Sequence, residues 1–365
     1  MTFTPLIALK SKKGELDALR HLPANSEPRP AILVELLDSV GVSERGQLLP
    51  ALIKAAVDAA VHDKPLWIDA HLLSATSSLA RQPGGPLEFL DKQIENTLHD
   101  ERGLLALDVT ALIPVVADSA TDDELRTISL LRQHRPRDVV VRVRGLATPP
   151  AEIVDRLRRV VSRTGIEAEH LHAVIDLGFV ETLQPAHVTR AARLIGTIVD
   201  DIGPSSTTLL AGSIPASRNS FATTTCQRPE VPLWHAVAEQ VDGAVNYGDY
   251  GVVHPVPPKG GDPGPRTVNP YLYYTAPGRR VALRRQLARE DGKPVQGAAV
   301  EAFTALAEEL LARQEFAGRD FSWGDRELTR CRRGGGRTAG TVPRWIAIAT
   351  SHHIEHVTRR APSDL

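Results

Sequence analysis

The sequence predicts an α/β fold of the (β/α)8, TIM-like barrel class, followed by a C-terminal elaboration. Short apolar runs alternate with amphipathic helical segments across residues 1–251, and such strands joined by helices are parallel strands in crossover connection. Eight runs in that length match the arithmetic of a closed barrel. The competing open sheet usually carries a GxGxxG first turn, and this chain contains none.

The first run, PLIALK at 5–10, stops at Lys10; Leu16, Leu19 and Leu22 then recur at helical spacing after Ser11, a residue suited to a cap. PAILVELLD at 30–38 is the second strand and carries Glu35. Ser43 then opens a long helix marked by Leu48, Leu52, Ile53, Ala56 and Val57. KPLWIDA at 64–70 is the third strand, ending at Asp69, with a loop at 74–85 and a helix over 87–98 behind it. Residues 103–118 read as one strand at ALIPVVAD or as two short ones, because Pro114 removes a ladder donor. A helix at 122–134 leads to DVVVRVRGL at 138–146, the fifth strand, and a helix at 150–163 leads to LHAVIDLG, the sixth. After a helix at 185–200 come the seventh strand at 206–215, a helix near 229–240 and the eighth strand, DGAVNYGDYG at 242–251.

Beyond Gly251 the composition shifts. Residues 252–268 are dominated by Pro and Gly and read as a long loop. Two strands around a Pro277-Gly278 turn follow within 271–287, then a helix at 296–315, a basic glycine loop at 331–341 and a final helix at 343–360. The domain reading is therefore a barrel over 1–251 and a segment over 252–365 that completes or caps it.

Composition excludes several classes. A formal net charge of -1 gives no global case for nucleic acid or an anionic membrane, although arginines cluster near Arg330, Arg332, Arg333 and Arg337. Two cysteines, Cys226 and Cys331, make no disulfide framework and no CxxC zinc pair. The opening MTFTPLIALKSKK lacks the apolar region of a signal peptide, and no run reaches the ~18 apolar residues of a membrane span. A cytoplasmic protein is the expectation.

Strand parity locates the chemistry. Side chains alternate across a strand, so Leu6, Ala8 and Lys10 share a face, as do Leu33 with Glu35, Trp67 with Asp69, and Val174 with Asp176. By the same rule Val140, Arg142 and Arg144 belong together, as do Leu209, Ala211 and Ser213, and Val245, Tyr247 and Asp249. A charge at the end of a buried strand is costly against the helix layer and is accommodated at the barrel mouth. Lys10, Glu35, Asp69, Arg142, Arg144, Asp176, Ser213 and Asp249 are thus expected at the C-terminal rim, where barrel enzymes keep their chemistry.

Two readings of that rim stand side by side. In one it is a structural network, with Arg142 and Arg144 neutralising Glu35, Asp69 and Asp176. In the other it is a site. Glu35, Asp69, Asp176 and Asp249 then hold Mg2+ or another divalent cation and activate water, while Lys10, Arg142 and Arg144 receive the phosphate or carboxylate of an anionic small molecule. Two of the acids could instead act as general acid and base on a glycoside.

Elsewhere, His352 and His356 lie four apart on the last helix, which is metal-ligand spacing, but position 353 is His, so the HExxH pattern is absent. Interfacial or carbonyl-bonded histidines are the commoner outcome. The glycine loop at 332–337 lacks the GK[ST] ending of a phosphate-binding loop. Tyr250 either reaches over the mouth or packs.

The opening PLIALKSKKGELDAL, the ILVEL strand, VIDLG, LAGSIP, YGDYG and the closing WIAIATSHH together resemble the phage beta protein family, over nearly the whole chain. The resemblance implies a barrel-type α/β protein of phage and bacteria and brings no settled activity or catalytic residues with it. It sets Lys10, Glu35, Asp176, Ser213, Asp249, Tyr250, His352 and His353 inside family motifs, and by association it implies a component of phage–host conflict or defence. Two functions are expected on these grounds. One is a metal-assisted hydrolase or phosphodiesterase-like enzyme at the rim; the other is a non-catalytic subunit that recognises a protein partner through the barrel and the C-terminal segment.

Overall fold

The computed structural model describes residues 3–22, 29–42, 46–103, 108–217, 220–257, 269–336 and 341–365. Ser43, the stretch 104–107, most of the Pro/Gly linker and Arg337 lie outside the described residues. The chain divides into two compact units. One comprises Met1–Lys12, Arg29–Gly212 and Pro229–Tyr250, the other Lys13–Pro28, Ser213–Arg228 and Gly251–Leu365.

The first unit is a closed, all-parallel barrel. Its strands are β1 (Leu6–Lys10), β2 (Ala31–Glu35), β3 (Trp67–Asp69), β4 (Ile113–Ala117), β5 (Val139–Arg144), β6 (Leu171–Phe179), β7 (Ser206–Gly212) and β9 (Asn246–Asp249), paired in that order, with β9 closing on β1. Helices α2 (Leu48–Ala60), α3 (Gly85–Arg102), α4 (Asp122–His134), α5 (Pro150–Thr164), α6 (Pro185–Asp201) and α7 (Glu230–Gln240) form the crossovers. Their sequences dictate them. In α5, Ile153, Val154, Leu157 and Val160 recur at helical spacing and are buried, while Gly165 ends the helix at φ 63°. In α4, the Thr121 hydroxyl accepts from the Glu124 amide and the Glu124 carboxylate accepts from the Thr121 amide, a reciprocal cap.

The barrel lumen is filled by Leu6, Ala8, Leu33, Trp67, Ile113, Val115, Val140, Val174, Leu210 and Tyr250. The stretch 103–118 yields a single strand, with Pro114 near its start. The even-numbered amides of β4 face β5, as the bond from Asp118 N–H to the Arg142 carbonyl shows at 3.2 Å. That ladder begins only at Val115–Val140, so Pro114 removes no donor the sheet uses. In β6 the register shifts between Asp176 and Gly178, where Gly178 at φ 63° makes the bulge and its amide turns back to the Asp176 carboxylate at 2.9 Å.

Lumen parity corrects two strands of the sequence reading. In β7 the inward residues are Thr208 and Leu210, and register pairs them with Asn246 and Gly248 of β9. Val245, Tyr247 and Asp249 therefore face the helix layer: Tyr247 packs edge-on to Trp234 of α7, and its hydroxyl donates to Asp249 at 2.7 Å. Asp249 is not a lumen acid. The physical reason is that β7 is small or apolar on both faces and β9 carries a polar residue on each, Asn246 inward and Asp249 outward, so the last polar residue does not report which face is inward. A Cβ on Gly248 would press on Thr208 and the Leu209 carbonyl, and this leaves the inward place at the strand end to Tyr250.

The second unit has α1 (Lys13–Leu19), an antiparallel sheet in the order β10 (Tyr271–Ala276), β11 (Arg279–Arg284) and β8 (Thr224–Gln227), and helices α8 (Ala298–Leu311), α9 (Trp323–Arg330) and α10 (Val342–Arg359). A small ribbon pairs β12 (Arg289–Glu290) with β13 (Lys293–Pro294). Leu272, Tyr274, Val281, Phe303, Leu306, Trp345 and Ile348 form its core, with Phe303 and Trp345 stacked at 4.7 Å. Gly14 of α1 and Gly324 of α9 both sit directly against the α10 backbone, where any side chain would collide. Ser213 belongs to this unit: it lies just beyond β7, and its hydroxyl accepts from Arg280 at 2.6 Å. It is not part of the lumen face either. Among the described residues, no helix is long and apolar enough to cross a membrane.

Candidate functional site

Six of the expected rim residues do converge at the carboxyl ends of the strands. Arg142 stands at the centre, 1% exposed. Its guanidinium donates to Asp176 Oδ2 at 3.1 and 2.8 Å and to Asp69 Oδ2 at 2.6 Å, and it lies 3.0 Å from Glu35 Oε1. Arg144 bonds Asp69 Oδ2 at 2.7 Å, and Lys10 pairs with Glu35 Oε2. Tyr250 joins them from the loop after β9: its hydroxyl donates to Asp176 Oδ1 at 2.7 Å, Arg142 donates to the same hydroxyl at 2.6 Å, and the Lys10 ammonium lies 4.9 Å from its ring centroid.

The electrostatics are balanced within the cluster. Burial alone would lower the basicity of Arg142, but Asp176, Tyr250, Glu35 and Asp69 together raise it well above the ordinary arginine value. Burial would likewise raise Asp69; Arg142 and Arg144 outweigh it and hold its carboxyl below the usual range. For Tyr250, burial and then the Asp176 charge push the phenol well above its ordinary value, so it stays a neutral donor. Three acids, Glu35, Asp69 and Asp176, meet three bases, Lys10, Arg142 and Arg144.

This arrangement does not suit a hard divalent cation, which requires about six oxygen ligands free to turn toward it. Every oxygen of the three carboxylates already has a donor. Glu35 faces Lys10 and Arg142; Asp69 takes Arg142 and Arg144 on one oxygen and the His71 amide on the other at 2.9 Å; Asp176 takes Arg142 on one, and Tyr250 with the Gly178 amide on the other. Among the described residues, the ligand-type group close enough to share one ion is Glu167, Glu169 and His170, which is exposed and lies at the start of β6.

His352 and His353 are buried in the second unit, within α10. His352 Nδ1 lies 2.8 Å from Asp325 Oδ2 and Nε2 2.8 Å from the Thr275 carbonyl, while its ring stacks on Tyr274 at 3.7 Å. Both nitrogens are already engaged by protein partners, and the His356 ring stands 6.0 Å away. Burial, followed by Arg228 and the two neighbouring histidines, pushes His356 down to about 2, so that ring is neutral. His353 Nδ1 is 2.8 Å from the Thr275 hydroxyl. The Cys331 thiol is buried.

An opening in the barrel unit lies at the other end of the strands. A cavity of about 810 Å3 is lined by residues from the strand starts and the lower lumen, including Leu6, Ala31, Trp67, Ile113, His172, Ser206, Thr208 and Asn246. Charged side chains of both signs also line it, among them Arg29, Lys64 and Arg132 with Asp63, Asp108 and Glu167. His172 sits between Ser206 Oγ, 2.7 Å from Nδ1, and Asp138 Oδ2, 3.2 Å from Nε2, with the Trp67 ring stacked at 5.1 Å. His170 Nδ1 holds the other Asp138 oxygen at 2.8 Å. Reasoning from strand ends passed over these residues because they stand at strand starts. One signal was available: His172 shares the inward parity of Val174 and Asp176.

The model of the family described as Beta protein matches residues 4–359. None of the curated proteins matches the chain. Among solved structures, the chain is similar to the crystal structure of an engineered protein at 12% identity and a TM-score of 0.38. That match covers 68% of this chain and spans about 63% of the other's length.

Proposed function

The chain belongs to the Beta protein family, and we propose that its barrel binds a small organic ligand, part apolar and part polar, in the cavity at the amino-terminal ends of its strands. The cavity itself carries this reading. Its volume of about 810 Å3 falls in the range of ligand pockets, roughly 300–1,000 Å3. Its lining supplies an apolar floor of Leu6, Trp67 and Ile113 with polar groups from Ser206, Thr208 and Asn246. Arg29 and Lys64 favour a ligand that carries a carboxylate or sulfonate.

The rim at the opposite end supports a different role. A buried ion-pair cluster with every carboxylate oxygen bonded supports a structural role for the rim over hydrolysis there.

The test uses 1-anilinonaphthalene-8-sulfonate, which has apolar rings and one anionic group. Ala31 is half-buried at the start of β2, on the parity of Leu33 and Glu35, and lines the cavity. In Ala31→Trp the indole fills that space. Dye fluorescence should rise and saturate with the native protein and fall at least about tenfold in affinity with the variant, equivalent to ~1.4 kcal/mol. Equal dye affinity in a variant of unchanged melting temperature would place the ligand elsewhere.

A further inference from the structure

One hydrogen-bonded chain in this cavity is more than lining. Asp138 precedes β5, His172 is the second residue of β6 and Ser206 the first of β7, and the sheet register sets His172 directly beside Ser206. A carboxylate only accepts hydrogen bonds, so His172 Nε2 carries the hydrogen that faces Asp138 Oδ2 at 3.2 Å. That leaves Nδ1 as the acceptor, 2.7 Å from Ser206 Oγ, and the serine hydroxyl donates to it. Acid, imidazole and alcohol therefore stand in the polarity of a nucleophilic relay, with the two imidazole nitrogens exchanged relative to the usual serine–histidine–aspartate order.

Two features hold the relay in place. Trp67 stacks on the imidazole across the lumen at 5.1 Å and fixes the plane of the ring. His170 bonds the second Asp138 oxygen at 2.8 Å and fixes the carboxylate. Burial would raise the Asp138 carboxyl, but hydrogen bonds from His172 and His170 outweigh it and keep the group ionised below the usual carboxylate range. Ser206 lines the cavity wall, so a ligand reaches its hydroxyl.

We propose that Ser206, His172 and Asp138 form a nucleophilic centre that takes the acyl group of a carboxylic ester bound in this cavity. Ser206 Oγ bonds to the ester carbonyl carbon while its proton passes to His172 Nδ1. The bond from that carbon to the alcohol oxygen breaks, and His172 returns the proton to the departing alcohol. Water then attacks the acyl-serine and gives its proton to Nδ1; the carboxylic acid leaves and Ser206 regains its hydrogen. Asp138 is a positioning residue, since it holds the tautomer and stabilises the imidazolium. Apolar Leu6, Trp67 and Ile113 suit an apolar acyl chain.

This inference rests on the cavity being the ligand site, and the experiment separates the two. The full-length protein is treated with diisopropyl fluorophosphate, an ester whose phosphorus bonds to an activated serine oxygen as fluoride leaves, and the adduct is located by peptide mass spectrometry. Hydrolysis of p-nitrophenyl butyrate is followed in parallel. The adduct should fall on Ser206, vanish in Ser206→Ala, and form on the order of 100-fold more slowly in Asp138→Asn and His172→Gln. Ester hydrolysis should fall in step, while Asp138→Asn still unfolds cooperatively and binds the dye to saturation. An adduct that persists in Ser206→Ala, or a rate indifferent to Asp138→Asn, overturns the relay. Dye binding that Ala31→Trp abolishes, in a protein that forms no Ser206 adduct, overturns the relay and leaves the ligand site standing.

Discussion

Replacing Arg142 with Met lowers stability by about 3–5 kcal/mol, read from guanidinium unfolding at neutral pH, because the change strands charges that no water reaches. Asp176 suffers most. Its Oδ2 is held by Arg142 through two nitrogens, and after the substitution only Tyr250 and the Gly178 amide remain to it, both on the other oxygen. Asp69 keeps Arg144, and Glu35 keeps Lys10. The double variant Arg142→Met with Asp176→Asn should therefore recover part of the loss, since it removes the most exposed consequence of the first change. A single-variant loss within ~0.5 kcal/mol would show that the cluster does not hold the barrel.

The same cluster sets an acid limit. Asp69 is depressed in the folded protein, where burial opposes ionisation but Arg142 and Arg144 overcome it. A depressed folded value contributes stability that is complete above the unfolded carboxyl value near ~3.9 and is lost as pH falls through the folded value. Native protein should thus hold its stability down to about pH 4 and lose it below. In Arg142→Met the acid loss should be shallower with its onset unmoved, because Asp69 without a main support of its charge is less depressed and so has less stability to lose on protonation. A pH series of melting temperatures with coincident acid limbs would contradict this.

Asp325→Ala has an effect of similar size, about 3–5 kcal/mol, on the second unit. Asp325 is fully buried and accepts from Tyr274 at 2.8 Å, Ser322 at 2.6 Å and His352 at 2.8 Å. Alanine leaves three buried donors without their acceptor, each a desolvated group with no water to replace the carboxylate. Asp325→Asn keeps one acceptor oxygen of the same shape and should lose less. Hydrogen exchange should report the loss in α9, α10 and the β10–β11 hairpin. Equal losses in the two variants would contradict this and show that the charge matters at this position and the retained shape does not.

Much of the architecture is legible in the residues because barrel strands obey two strict periods. VVVRVR at 139–144 can be buried on both faces only with its arginines in the lumen, and LIALK, AILVE and WID end on the inward Lys10, Glu35 and Asp69 for the same reason. The rule fails for Asp249, whose strand has a polar residue on each face, and for Ser213, whose strand is small or apolar on both, so parity is unmarked. β8 reads TTCQ, three of its four residues are exposed, and no apolar alternation announces it. The partners of His352 are equally hidden: Asp325 and Thr275 lie 27 and 77 residues away, joined only by the packing of α9 and β10. His172, Ser206 and Asp138 stand at or before the strand starts, where a rule that reads the last polar residue of each run gives no pointer. Pairing, moreover, decides which residues act. Arg142 and Asp176 meet, and each meeting cancels a charge that looked available in the sequence.

The most direct measurement is a crystal structure of the protein soaked with 1-anilinonaphthalene-8-sulfonate, manganese and phosphate together. Density for the dye should lie among Ala31, Trp67 and Asn246, and the space among Glu35, Asp69 and Asp176 should show no anomalous manganese peak, its carboxylates still bonded to Lys10, Arg142 and Arg144. Manganese bound to those carboxylates, with phosphate on Arg142 and the amino-terminal cavity empty, would contradict that placement of the site.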